Sequence, residues 1–184
     1  MHFPEIESKR LLLSTIQFSD RESIFRLFSD ESVVEYYDLP ALERVQQADD
    51  LIQLFQSRYE SSSGIRWAIR LKVTGDLIGT CGFNSWSPKM QNAVIGYDLM
   101  PKFWGKGYAV EAVAEILCAA FEGQLACGSL NRVQADTVPG NNASEAVLRR
   151  LGFVEEGLRR EAGFWQGRFH DLKCFGLLKR EFKA

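Results

Sequence analysis

Residues 95–109 read Ile95-Gly96-Tyr97-Asp98-Leu99-Met100-Pro101-Lys102-Phe103-Trp104-Gly105-Lys106-Gly107-Tyr108-Ala109. A strand ending at a proline delivers a short glycine turn, and the turn opens a helix. Two glycines let the main chain come close to a ligand, and a helix start offers N–H groups without partners inside the helix. Together these make an anion site suited to a pyrophosphate. A turn that needs glycine only for its backbone angles is the plainer reading of the same residues, and both stand at this point. Two nucleotide motifs are excluded. A G-x-x-x-x-G-K-[ST] loop needs Ser or Thr after Lys106, where Gly107 stands, and a dinucleotide fingerprint needs a third small residue in place of Val110.

Outward from this turn the period of apolar residues sets the elements. Val110, Val113, Leu117 and Phe121 share one stripe, which predicts a helix over 108–121. Beyond it, 131–138 reads as a strand, 143–151 as a short helix, and 153–160 and 169–178 as closing strands. On the other side, 93–100 is a strand. Period-two runs at 65–72 and 77–84 flank Val73-Thr74-Gly75-Asp76, a hairpin turn. Val45, Ala48, Ile52, Phe55 and Tyr59 repeat at helical spacing and predict a helix over 42–59, preceded by one over 20–28 and a first strand over 9–16. The order β-α-α-β-β-β-α-β-α-β-β predicts one α/β (α+β) domain over residues 1–184, a mixed sheet with helices on both faces.

Composition narrows the function classes. Lys plus Arg number 22 and Asp plus Glu 24, a net charge of −2, which argues against a nucleic-acid binder. Hydrophobic residues at 46% and charged ones at 25% are the balance of a globular protein rather than a disordered one. Four cysteines (Cys81, Cys118, Cys127, Cys174) are widely spaced, and the histidines are His2 and His170, so no metal cluster is expected and the thiols read as reduced. The first ten residues carry charges in place of a signal peptide's apolar core, and no run approaches the ~20 apolar residues of a membrane span. A cytoplasmic protein without membrane or nucleic-acid partners is expected.

The opening stretch resembles motif A of the Gcn5-related N-acetyltransferases, whose pattern is Gln/Arg-x-x-Gly-x-Gly/Ala. Trp104 stands at the Gln/Arg position, Gly107 at the central glycine and Ala109 at the last. Asn141-Asn142-Ala143-Ser144-Glu145 with Leu151-Gly152-Phe153 and Glu156-Gly157 resembles the Asn-x-x-Ser…Leu-Gly-Phe…Glu-Gly element of the Rim-type subgroup. That subgroup includes enzymes acetylating the N-termini of ribosomal proteins. Lys9-Arg10-Leu11-Leu12-Leu13 and the run from Gly167 to Leu178 resemble its opening and closing strands. The resemblance implies a mostly antiparallel sheet, acetyl-CoA as co-substrate and a primary amine as acceptor, with the protein a monomer or homodimer. A protein N-terminal α-amine leads. A small-molecule amine (polyamine, aminoglycoside or amino-acid-like) and a non-catalytic acyl-CoA sensor are the alternatives.

By the same resemblance, acetyl-CoA lies on Leu99, Met100, Trp104, Gly105, Lys106, Gly107, Tyr108, Ala109 and Asn141. Leu99 or Met100 N–H polarises the thioester, where the strand that holds them splays from the strand over 131–138. Many members place an acid tyrosine five residues before the Phe of Leu-Gly-Phe, but Leu148 stands there. Ser144, one turn earlier, is then the expected proton donor for the leaving thiolate, its other reading being part of a helix cap with Asn142 at the N-cap. Asn141 holds pantetheine or caps the helix. Asp98 is the carboxylate nearest in sequence to the oxyanion position, and reads either as the base or as an ordinary strand carboxylate. Glu35 and Asp38 fall where the family gathers acceptor residues, and one of His170 and Asp171 is expected to line the acceptor groove. Trp86, Phe164 and Trp165 line the acceptor cleft or belong to the core.

Overall fold

A computed structural model describes residues 3–183; Met1, His2 and Ala184 lie outside the described residues, and with them one of the two histidines. The strands are β1 (Ile6–Glu7), β2 (Leu11–Thr15), β3 (Ile65–Leu71), β4 (Leu77–Ser87), β5 (Asn92–Leu99), β6 (Arg132–Thr137), β7 (Val154–Trp165) and β8 (Arg168–Leu178). The helices are α1 (Arg21–Phe28), α2 (Glu31–Val34), α3 (Gln46–Glu60), α4 (Tyr108–Glu122) and α5 (Asn142–Arg150). They build one sheet in the order β1-β2-β3-β4-β5-β6-β8-β7. Every neighbouring pair is antiparallel except β5 and β6, which run parallel.

Each face of the sheet carries its own core. On one side Trp67, Cys81 and Phe83 pack with Val113, Ile116 and Leu117 of α4 and Leu148 of α5. On the other, Ile24, Leu27 and Phe28 of α1 meet Ile52 and Phe55 of α3. The mixed, mostly antiparallel sheet between helical layers agrees with the sequence reading. β1 and α2 are additions to it.

The departures have local causes. The helix expected from residue 42 begins at Gln46, because Gln47 Oε1 accepts the Glu43 and Arg44 N–H groups (both 2.8 Å) and Leu42 N–H donates to the Phe28 carbonyl (2.9 Å). The final hairpin is longer than expected: β7 continues to Trp165 and turns through Gln166 and Gly167, both at positive φ (51° and 72°), the geometry of a tight primed turn. The turn at Gly75 (φ 76°) stands where expected.

Candidate active site

The site begins where two strands part. β5 and β6 pair only at Asn92–Arg132, Ala93–Val133 and Val94–Gln134, and then diverge. On its other edge β5 stays bonded to β4: Met100 N–H donates to the Ile78 carbonyl (2.9 Å), and Asp98 lies opposite Thr80. Main-chain groups alternate sides along an antiparallel pair, so those of Tyr97 and Leu99 face the gap toward β6. The Leu99 carbonyl accepts the Trp104 indole N–H (2.7 Å). Leu99 N–H remains as the donor at the tip of the gap. Met100, the expected alternative, is committed to β4, and its side chain packs in the α1/α3 core on the opposite face.

The glycine turn follows. Pro101–Phe103 form one 3-10 turn, Gly105 and Gly107 take φ of 70° and 79°, and α4 starts at Tyr108. The first helical bond runs from Glu111 N–H to the Gly107 carbonyl (3.0 Å), which leaves the N–H groups of Tyr108, Ala109 and Val110 without intrahelical acceptors. Arg10 braces the turn from behind. Its Nη1 donates to the Lys106 carbonyl (3.1 Å), Nε to Glu111 Oε2 (2.6 Å), and its guanidinium lies 4.2 Å from the Tyr108 ring centre. Because that carbonyl is drawn to Arg10, the N–H of the same planar peptide, on Gly107, points the other way. Partial burial alone would raise the Glu111 carboxyl, but hydrogen bonds from Ser8 Oγ and from Arg10 hold it below its ordinary value. Gly105, Gly107, Tyr108 and Ala109 line one wall of a cleft of about 650 Å³. Lys106 is not part of that wall.

The opposite wall belongs to α5. Asn141 caps it, its Oδ1 accepting Ser144 N–H (3.1 Å), so of the two asparagines read as caps it is Asn141 and not Asn142, and Ser144 is the third helical residue. The Ser144 hydroxyl is therefore not the capping group. It lies 2.8 Å from the Tyr97 hydroxyl, which is also 3.0 Å from the Ser144 carbonyl. Burial lifts the Tyr97 phenol above its ordinary value, opposed by the Ser144 hydrogen bond and helped by the Asp98 charge. Leu148 is wholly buried, and Glu145, 2% exposed, holds the helix to β8 through Lys173 and to itself through Arg149 (both 2.9 Å).

Asp98 faces away from this pair. Its carboxylate is ion-paired with Arg66, whose Nε also donates to Thr80 Oγ1 (3.0 Å) and Nη1 to Asn84 Oδ1 (3.2 Å). Thr80 Oγ1 donates to the same Asp98 oxygen (3.2 Å). Burial holds the Asp98 carboxyl above its ordinary value, and Arg66 and Thr80 offset that rise only in part. The group predicted as a base is thus part of the cleft lining, but its carboxylate is held in a buried polar knot with Arg66 and Thr80. Glu35, Tyr36 and Tyr37, after α2, line the cleft, with the Tyr36 hydroxyl 3.7 Å from where a Cβ on Gly140 would stand; Asp38 is not part of the lining.

The remaining expectations lie elsewhere. His170 stacks flat on Trp165 (centroids 3.8 Å apart), and Asp171 accepts Glu161 N–H (2.7 Å), so neither reaches the cleft. Trp86 is core, its indole N–H donating to the Ser62 carbonyl, and Phe164 packs on Phe169 at the exposed hairpin tip. Tyr97 is the residue that sequence reasoning missed. Its signal was present, since strand alternation puts it on the same face as Leu99. Among the described residues no group of three His, Cys, Asp or Glu could hold a metal, and no helix is long and apolar enough to cross a membrane.

A donor N–H at a strand gap and an open helix N-terminus thus share one cleft, an arrangement that can polarise a carbonyl and hold an anion. Residues 10–154 match the family model described as the acetyltransferase (GNAT) domain. The uncharacterised N-acetyltransferase YoaA of Bacillus subtilis is 36% identical over 177 residues, covering 96% of this chain and 98% of its own. YdaF of the same organism, named as a candidate ribosomal N-acetyltransferase, is 34% identical over 136 residues, 74% of this chain and 71% of its own. The structure of RimL, a ribosomal L7/L12 α-N-protein acetyltransferase in complex with coenzyme A, superposes with a TM-score of 0.84 at 21% identity, covering 95% of this chain and 98% of that one. The chain belongs to the GNAT family and is an N-acetyltransferase.

Proposed function

We propose that this chain transfers the acetyl group of acetyl-CoA to the N-terminal α-amine of a protein, a ribosomal protein first among the acceptors, acting in the cytoplasm as a single domain over residues 1–184. The observation that carries the acceptor class is the state of the carboxylates. The cleft gathers a glycine turn, the Leu99 N–H and the Ser144 hydroxyl, yet Asp98 is locked to Arg66 rather than free to take a proton. An α-amine of pKa about 7.8 is roughly one-seventh neutral at pH 7, whereas a lysine near 10.4 is about 0.04% neutral. The missing factor of several hundred is about what one general base supplies. With Asp98 tied to Arg66 and Glu35 left as the other carboxylate of the cleft lining, an acceptor that is partly neutral on its own suits the site. RimL and YdaF, named for ribosomal acceptors, support the same reading.

In this reading the pyrophosphate rests on the main chain of Gly105, Gly107, Tyr108 and Ala109, with the Lys106 side chain adding only charge attraction. Trp104 pins the Leu99 carbonyl, and Asn141 caps the helix bearing Ser144. The neutral amine adds to the thioester carbonyl, and Leu99 N–H stabilises the charge that develops on its oxygen. The C–S bond then breaks, the thiolate takes the Ser144 hydroxyl proton, and the proton shed by the new amide returns to Ser144 through solvent. The test is a peptide with a free N-terminus and an internal lysine, with mass spectrometry locating the acetyl group. Acetylation of the N-terminus is expected. Modification of the lysine alone overturns the α-amine reading, and tight acetyl-CoA binding with no transfer to any amine would make the chain a sensor.

A further inference from the structure

The cleft contains one polar contact that the steps above leave unused. The Tyr97 hydroxyl reaches out of β5 at the place where β6 has turned away, and meets both the Ser144 hydroxyl at 2.8 Å and the Ser144 carbonyl at 3.0 Å. Each hydroxyl has a single proton to place. If Tyr97 donates to the Ser144 carbonyl, the serine proton is free to turn onto the phenol oxygen, where it is withheld from the cleft. If Tyr97 donates to Ser144 Oγ, the serine proton must point elsewhere, and the open side is the cleft. Two arrangements of the same two hydroxyls therefore either withhold the serine proton or present it.

We infer that Tyr97 is a positioning residue for the acetyl transfer: by donating to Ser144 Oγ it aims the serine proton at the departing sulfur. This rests on Ser144 as the proton donor. The negative charge on the leaving thiolate selects the presenting arrangement, because a hydrogen bond to a charged acceptor is worth more than the neutral one it replaces. Tyr97 neither gains nor loses a proton over the cycle. It can perform this role only as a neutral phenol, and burial keeps it one. Leu148, where many family members place a tyrosine, contributes no proton, so the phenol here acts from the strand and through the serine.

The test is a double-mutant cycle on kcat and on KM for acetyl-CoA, using Tyr97→Phe, Ser144→Ala and the double variant, each checked for an unchanged fold by its melting curve. Tyr97→Phe should lower kcat by roughly 3- to 10-fold, the value of one hydrogen bond, with KM for acetyl-CoA nearly unchanged. Ser144→Ala should lower kcat by ~10- to 100-fold. The double variant should be no slower than Ser144→Ala alone. Multiplying losses would show that Tyr97 acts independently of the serine and overturn the inference, as would a raised KM with kcat intact. A slow Ser144→Ala beside a full-rate Tyr97→Phe removes Tyr97 alone, whereas full activity in Ser144→Ala removes the serine first. Should Tyr97→Phe fail to fold, tetrafluorotyrosine at position 97 keeps the ring and a far more acidic hydroxyl. The rate should then fall on a new high-pH limb as that phenol ionises, and an unmoved pH profile overturns the inference.

Discussion

A valine placed at Gly107 would meet open space: its Cβ would have only Arg10 Nη2 within reach, at an ordinary 3.6 Å. The obstacle is the backbone. Position 107 has φ of 79° and precedes the first residue of α4, and a β-branched side chain resists that conformation. Relaxing to negative φ would rotate the Gly107 N–H and swing the first turn of α4 out of line. Gly107→Val is therefore expected to abolish CoA binding in a folded protein, measured by calorimetry; unchanged affinity would remove the turn from the site. Lys106→Ala should cost far less, because it deletes a side chain outside the cleft wall and keeps the carbonyl that Arg10 holds. At this scale the glycines were legible in the sequence, since only their type allows the turn. The choice between Leu99 and Met100 was not. It depends on which residue's N–H faces β4, and hydrophobicity carries no record of that. Asp98 shows the same limit: sequence shows a carboxylate beside the oxyanion position, but not Arg66, thirty-two residues away in the chain, closing on it from β3.

Among the elements, α5 carries Ser144 and hangs on one buried carboxylate. Glu145 accepts from Lys173 on β8 and from Arg149 on its own helix. The Lys173 hydrogen bond leads in holding its pKa below the ordinary 4.5, against the opposing effect of burial. A depressed carboxyl stabilises the fold above its unfolded pKa and loses that contribution as pH falls through the lower folded value. Glu145→Gln should thus cost about 1.5 kcal/mol at pH 7, read from denaturant unfolding, and the gap between variant and wild type should close in acid below pH 4.5. An equal gap at both pH values would show that the charge is not the anchor. Helix α5 itself is legible because its apolar spacing is helical, but which of Asn141 and Asn142 caps it is not, as two adjacent asparagines offer the same chemistry. Strand β7 runs past the end that its sequence predicts because it is exposed along nearly its whole length. With both faces wet there is no period-two pattern to read, and the irregular stretch between Arg159 and Gly163, with Glu161 at φ 52°, breaks the alternation further. The divergence of β5 and β6 left no mark on either strand's sequence. It is a relation between the two, seen only in where their pairing stops.

For the whole molecule the decisive quantity is how reaction rate follows pH, because it reports which group supplies the neutral amine. With Asp98 held by Arg66, the proposed reading has the acceptor shed its own proton before it binds or as it does so. The rate at low acceptor concentration should then rise along the acceptor's titration and level off near pH 8, where an α-amine is mostly neutral. A lysine acceptor in the same site would keep climbing toward pH 10. Asp98→Asn should leave the shape of this profile alone while lowering the melting temperature, since it strips a buried guanidinium of its counter-charge. A base in the enzyme would instead add an inflection below the acceptor's own. If one is found, Glu35, the carboxylate in the cleft lining that Arg66 does not hold, is where to look, and Glu35→Gln should abolish it. An inflection that survives Glu35→Gln and disappears in Asp98→Asn would return the base to Asp98 and require the Arg66 pair to open during turnover.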